Sequence, residues 1–188
     1  GGQVFADTAT VVAHANAKAH IVAEGRPTAV PDITFTEGMT IALGGKRVEL
    51  AYLGKNHSDN SIVMHFPDER AVFAVDFVSV DRMPFRDFPN AHIEDWIESL
   101  ERVGALDFDI VAPGHGSLGN KQDVRGLHAC MEELRAEVLK YARQGKPLEE
   151  IKQLVKMEKY KDWGQYKNYP PLNIEGMYRY IQLYRRPN

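Results

Sequence analysis

Cysteine is almost missing from this chain. One residue, Cys130, among 188 excludes an internal disulfide and any zinc knuckle built on thiolates. It falls in an apolar helical stripe and reads as a packing residue. Long apolar runs are missing too: nothing approaches the roughly 18 residues a membrane span needs. No basic n-region or apolar h-region opens the chain, so no signal peptide is read there. Positive charge is not in excess. With 23 Lys and Arg against 26 Asp and Glu, the formal net charge is −3, which speaks against nucleic acid or an anionic membrane as a partner. The Gly-x-Ser-x-Gly elbow of serine hydrolases does not occur, and a Rossmann-type oxidoreductase is set aside on the reading that its Gly-x-Gly-x-x-Gly loop is missing as well. A methionine start is also lacking. The natural start is therefore expected upstream of Gly1, which leaves the compartment, cytoplasmic or periplasmic, open.

What is present is a chain of one-domain length over residues 1–188, with 44% hydrophobic residues to build a core. Thr10–His14 reads as a short strand and Ala15–Glu24 as a helix stopped by Gly25-Arg26-Pro27. Thr40–Leu43, the turn Gly44-Gly45-Lys46 and Arg47–Leu53 form a hairpin. Ser61–Phe66 and Ala71–Val75 are two mostly apolar strands, expected to be covered on both faces. Helical spacing comes next over Ala91–Val103, with Gly104 as its stop. Asp109–Ala112 is a further strand, and helices are expected over Lys121–Gln144, Leu148–Lys156 and Asn173–Arg185. The last of these would bury Ile174, Met177, Tyr178, Ile181 and Tyr184. Tyr160–Pro171 carries no clear signal. Strands followed by helices point to an α/β fold with helices flanking a mostly buried sheet.

Three residues stand where strands end: His57 in Gly54-Lys55-Asn56-His57-Ser58-Asp59-Asn60, Asp76 after Ala71-Val72-Phe73-Ala74-Val75, and His115 in Pro113-Gly114-His115-Gly116. Imidazole nitrogen and carboxylate oxygen are donors that suit Zn²⁺, and α/β scaffolds place their sites at strand ends. The competing readings are a capping or surface histidine for His57, a turn or N-cap aspartate for Asp76, and an ordinary turn for His115. Other residues have plainer roles. His14 is a strand-end residue, structural or adjacent to the site. His20, His65, His92 and His128 read as surface or structural, and Trp96 as core. Lys55, Asn56 and Asn60 flank His57 as substrate-contact candidates, Ser58 and Asp59 as its orienting partners. Tyr169 and Asn173 are candidates for the pocket mouth.

The order of these motifs resembles the metallo-β-lactamase superfamily over nearly the whole chain. Ala71–Asp76 is similar to the family's apolar strand ending in aspartate, and Val11-Val12-Ala13-His14 to the strand after its first metal motif. The resemblance implies an αββα sandwich, represented mostly by its C-terminal half. It implies hydrolysis of an ester-like bond (thioester, lactone, amide or phosphodiester) in a small-molecule substrate, by a metal-bound hydroxide. His57 would be a ligand of metal site one, Asp76 the bridging and catalytic carboxylate, and His115 a ligand of site two, with Zn²⁺ as the cofactor and other divalent ions admitted. Aspartate at position 76, where the commonest β-lactamases carry cysteine, looks more like the thioesterase, lactonase, phosphodiesterase and RNase Z branches.

The family's first motif, His-x-His-x-Asp-His, has no counterpart here, since the chain contains no His-x-His. Because that motif is usually followed by Gly-Gly, the chain is expected to open just after it. Half the metal ligands would then be absent, leaving at most one loosely held ion and impaired activity. Apolar sheet surface would be bared, to be covered by a second copy or by the missing N-terminal segment. The alternative is a catalytically degenerate binding module with the same fold.

Overall fold

The computed structural model describes residues 2–184. After a short 3₁₀ turn, β1 (Val12–His14) leads directly into α1 (Ala15–Glu24), and β2 (Ile33–Phe35) pairs with β1 in parallel. The helix has the predicted bounds for local reasons. His14 Nδ1 accepts the Asn16 N–H at its start, and Gly25, at φ 59°, returns its own N–H to Ile21 and Val22 at its end.

The main sheet has five strands in the order β3 (Gly38–Leu43), β4 (Lys46–Ala51), β5 (Val63–Phe66), β6 (Ala71–Ala74) and β7 (Ile110–Pro113). Neighbours are antiparallel except β6 and β7, which run parallel around α2 (Ile93–Ala105). Alternation sorts the strand residues onto two faces. Val63, Val72, Ala74 and Val111 are buried with Trp96 and Leu100 of α2 and with Leu127, Met131 and Leu134 of α3 (Lys121–Arg143). The opposite face carries the cross-strand row Met39, Leu50, Met64, Phe73 and Ala112. Of these only Leu50 is buried, so the expectation of two fully covered faces fails. No helix among the described residues is long and apolar enough to cross a membrane.

Three further expectations are corrected. Gly104 does not stop α2; it is an interior residue, and the helix ends when Leu106 turns extended. After α4 (Leu148–Leu154), the last helix, α5, runs over Pro170–Tyr184 and starts three residues early. Pro170 and Pro171 fill its first turn, where no backbone N–H is needed. Its face narrows outward: Ile174 and Met177 are buried, Tyr178 and Ile181 half-buried, and Tyr184 lies on the surface against Tyr180, ring centroids 4.6 Å apart. The predicted end at Arg185 lies outside the described residues. Cys130 is buried, and desolvation pushes its thiol up to about 12.

Candidate metal centre

Strand direction gathers the three residues. β4 ends, β5 begins, and β6 and β7 both end at one edge of the sheet. The loop after β4 carries His57 to that edge. The parallel register Ala74↔Pro113 then sets Val75 beside Gly114 and Asp76 beside His115, two residues past each strand. Glycine is required at 114 because the chains pass so closely there: a Cβ would lie 2.5 Å from Val75 Cγ1. Asp76 itself adopts φ 70°, a left-handed conformation that costs a non-glycine residue on the order of 1 kcal/mol and gathers at functional sites.

The Asp76 carboxylate sits between two imidazoles. Its Oδ2 is 3.6 Å from His57 Nε2 and its Oδ1 is 3.1 Å from His115 Nε2. Each imidazole meets a different oxygen of the carboxylate, and among the described residues no three His, Cys, Asp or Glu side chains form a group that could hold one metal ion.

The orienting partner of His57 is Asn56. This residue is buried, and its Oδ1 accepts the Ser58 N–H and lies 3.1 Å from His57 Nδ1. With Oδ1 as acceptor, Nδ1 carries the proton and Nε2 is left as a lone pair facing Asp76. Ser61 Oγ stands 3.4 Å from the same Nδ1. Burial pushes the His57 pKa below its usual value, opposed by the Asp76 charge. The ring is thus held neutral at neutral pH.

Other candidates fall elsewhere. Asn56 is buried beside His57 and does not line the cleft. Asp59 pairs with His20 at 2.9 Å, not with His57, and Ser58 Oγ bonds to Asn60 and Ser61. His14 caps α1, stacks on Tyr52 at 4.1 Å and donates toward Thr36 O. His65 bridges Glu49 and the Asp107 carbonyl as an ordinary sheet residue. Lys55 is exposed and lies outside the cleft beside the trio.

That cleft, about 420 Å³, was not legible in the sequence. His57, Asp76 and His115 form one end. Met83, Pro84, Phe85 and Phe88, from the irregular stretch between β6 and α2, form an apolar wall, and Arg82 is its one cation. Trp96, read as core, is also its floor: it meets His57 edge-on at 6.1 Å while its Nε1 donates to Phe77 O. The only advance signal was apolar residues in a segment with no periodicity.

Gly114 to Gly119 has, letter for letter, the Gly-x-Gly-x-x-Gly spacing of a dinucleotide loop, so the Rossmann reading cannot be set aside on the want of that motif. It is set aside by the structure, which withholds the context such a loop needs. The N-terminus of α3 is already filled by the Asn120 and Asp123 side chains in a capping box, and no strand comes after that helix among the described residues.

Comparison with known proteins bears on the family and the fold. Residues 5–115 match the family model described as the Metallo-beta-lactamase superfamily. A metallo-beta-lactamase type 2 from Bacteroides fragilis is 26% identical over 125 residues, covering 65% of this chain and 50% of that protein. The alpha subunit of a 2,4-dinitroanisole O-demethylase from a Nocardioides strain is 29% identical over 79 residues, covering 42% of this chain and 24% of that one. This chain therefore spans half or less of the length of these curated relatives. A metallo-beta-lactamase structure from Pontibacter korlensis superposes with a TM-score of 0.57 at 21% identity, over 67% of this chain and 59% of the other. The DIM-1 metallo-beta-lactamase gives 0.59 at 22% identity, over 67% and 57%. The family match covers well over half of the chain and ends on the histidine that flanks the Asp76 carboxylate: this chain belongs to the metallo-beta-lactamase superfamily.

Proposed function

We propose that the cleft is a hydrolytic centre in which His57, Asp76 and His115 hold Zn²⁺ against an ester-like bond of a small-molecule substrate. The observation that carries this reading is the carboxylate bracketed by two imidazole Nε2 atoms, at 3.1 and 3.6 Å, at the mouth of an apolar cleft. The donor set fits a cation on two counts. A neutral His57 whose proton is committed to Asn56 turns a lone pair toward a carboxylate, an arrangement that repels unless a positive ion lies between. The two separations also bracket the roughly 3.3 Å edge of a tetrahedron with zinc–ligand bonds of about 2.0–2.1 Å. Each imidazole faces a different carboxylate oxygen, which suits Asp76 to joining two ions.

When bound, such an ion supplies a water of lowered pKa and a Lewis acid for the developing oxyanion. The chain's own residues do the remainder. Asn56 fixes the His57 tautomer, and the left-handed Asp76 presents one oxygen to each histidine. Trp96 and Phe88 exclude water from the cleft floor, which strengthens electrostatic interactions there. The names of the relatives span a β-lactamase and an O-demethylase, so the substrate is proposed from this cleft rather than taken from them.

The sparse donor set favours a second reading, a binding module with the same fold and no chemistry, because the described residues give each ion only two donors. The test is zinc reconstitution followed by dialysis and metal analysis, with hydrolysis screened on thioester, lactone, aryl ester, β-lactam and phosphodiester substrates. The hydrolase reading expects retained zinc and turnover of at least one substrate, both lost in Asp76→Asn. No retained zinc and no turnover favours the binding module.

A further inference from the structure

The apolar wall of the cleft is held by a part of the chain that lies beyond the family match. Residues 81–88 form no regular element, and Asp81, Arg86 and Phe88 adopt φ of 44°, 50° and 54°. L-residues do not hold such a path unaided. Ser79 Oγ donates to the Arg82 carbonyl and the Ala91 N–H to that of Phe88, whose ring meets Trp96 edge-on; the other fixing contacts come from residues 164–179. Gly164 donates its N–H to Asp81 O at 2.7 Å and accepts the Met83 N–H at 3.0 Å, so it joins the loop as a one-residue parallel bridge. From α5, the buried Asn173 donates through Nδ2 to the carbonyls of Pro84 and Arg86. Arg179, two turns on, donates to the carbonyl and carboxylate of Asp87 at 2.7 and 3.0 Å. Between them Gly176 lets the loop touch the helix backbone: a Cβ there would meet Asp87 O at 2.2 Å. At the rim, Phe85 packs edge-on against Tyr169 at 5.9 Å.

These contacts fall on one stripe of α5, at positions 173, 176 and 179. Apart from the Arg179 bond to the Asp87 carboxylate, they engage the loop backbone, so they dictate its path and leave its other side chains free to face the cleft. Apart from Arg82, the loop side chains that line it are apolar: Met83, Pro84, Phe85 and Phe88. Sequence reasoning had placed Tyr169 and Asn173 at the pocket mouth. Neither lines the cleft: Tyr169 packs against Phe85, and Asn173 lies behind the wall.

We propose that Asn173, Gly176 and Arg179 are positioning residues that set the specificity of the cleft, holding residues 81–88 as an apolar wall that selects substrates with a bulky apolar acyl group. The kinetic part of this proposal rests on the hydrolase reading; the structural part does not.

The test uses the full chain and three variants. Arg179→Ala removes a half-exposed contact, Arg179→Lys restores a donor to Asp87, and Gly176→Ala adds one methyl that displaces the loop while deleting nothing. Amide hydrogen exchange is expected to accelerate about tenfold or more in peptides covering 81–90 in Arg179→Ala and Gly176→Ala. Rates in β5, β6 and α3 should stay unchanged, and the lysine variant should lie near wild type. On zinc-loaded protein, KM for 4-nitrophenyl hexanoate is expected to rise about tenfold in the same two variants, with kcat held within about threefold. KM for the acetate ester should stay within about twofold.

Unchanged exchange over 81–90, or equal losses on both esters, overturns the proposal. If wild type hydrolyses neither ester, the exchange data still judge the clamp. Binding of 4-phenylbutyrate against acetate, measured by saturation-transfer NMR, then replaces the kinetics. A preference for 4-phenylbutyrate that Arg179→Ala leaves intact would equally overturn it.

Discussion

The close approach at Gly114 offers the most direct test of how the centre is assembled. In Gly114→Ala the new methyl would sit 2.5 Å from Val75 Cγ1, 3.3 Å from Val75 Cβ and 3.5 Å from its Cα. Carbon pairs rest at about 3.5–4.0 Å, so the strands must part by about 1 Å. Parting them moves His115 away from Asp76, and a 3.1 Å separation grows to about 4 Å, past the zinc edge of roughly 3.3 Å. Overpacking of this kind costs about 1–3 kcal/mol. At about 2–4 °C per kcal/mol for a chain of this size, Tm falls by about 2–12 °C. On the proposed hydrolase reading, a misplacement of about 1 Å at the reacting centre should lower turnover by about 10²-fold.

Val75→Ala removes the obstructing methyl, so the double variant should recover most of both losses, with a coupling of about 1–2 kcal/mol in a double-mutant cycle. Thermal melts and zinc analysis on the four proteins give the cycle. Strictly additive Tm changes, or full zinc retention in the single variant, would refute the account of how parallel register places His115.

Asn56→Ala frees the His57 ring, and zinc affinity should fall about 10–100-fold by competition against a chelator, the range for partners that orient a metal-binding imidazole. Arg70 forks onto Asp107 and Asp109, and its hydrogen bonds hold both carboxyls below their usual range. Because those folded-state values are depressed, the stability they confer is present above the unfolded value of about 3.9 and is lost as pH falls through the lower folded values. The Tm gap between wild type and Arg70→Ala should therefore be flat from neutral pH to about pH 5 and close in stronger acid. The Cys130 thiol, buried and raised to about 12, should resist Ellman's reagent in the folded protein and react promptly in denaturant; rapid labelling of native protein would contradict its burial.

Local chemistry in the amino-acid sequence determined a good deal. His14 and Gly25 bracket α1 because caps act within a turn of the helix end. Amphipathic spacing marked the buried stripes of α2 and α3, and turn residues marked the β3–β4 hairpin. Strand-end placement singled out His57, Asp76 and His115, since a polar donor after an apolar run is a purely sequential signal. Tertiary structure decided the rest. Whether Gly104 stops a helix depends on the packing of its downstream neighbours, and whether a strand's second face is covered depends on which layer lies against it. The parallel register that sets Asp76 beside His115 joins segments nearly 40 residues apart. The cleft wall owes its path to carbonyls bonded by a helix some 90 residues downstream. Periodicity records only which residues want burial, and it is silent on which distant backbone supplies the partner.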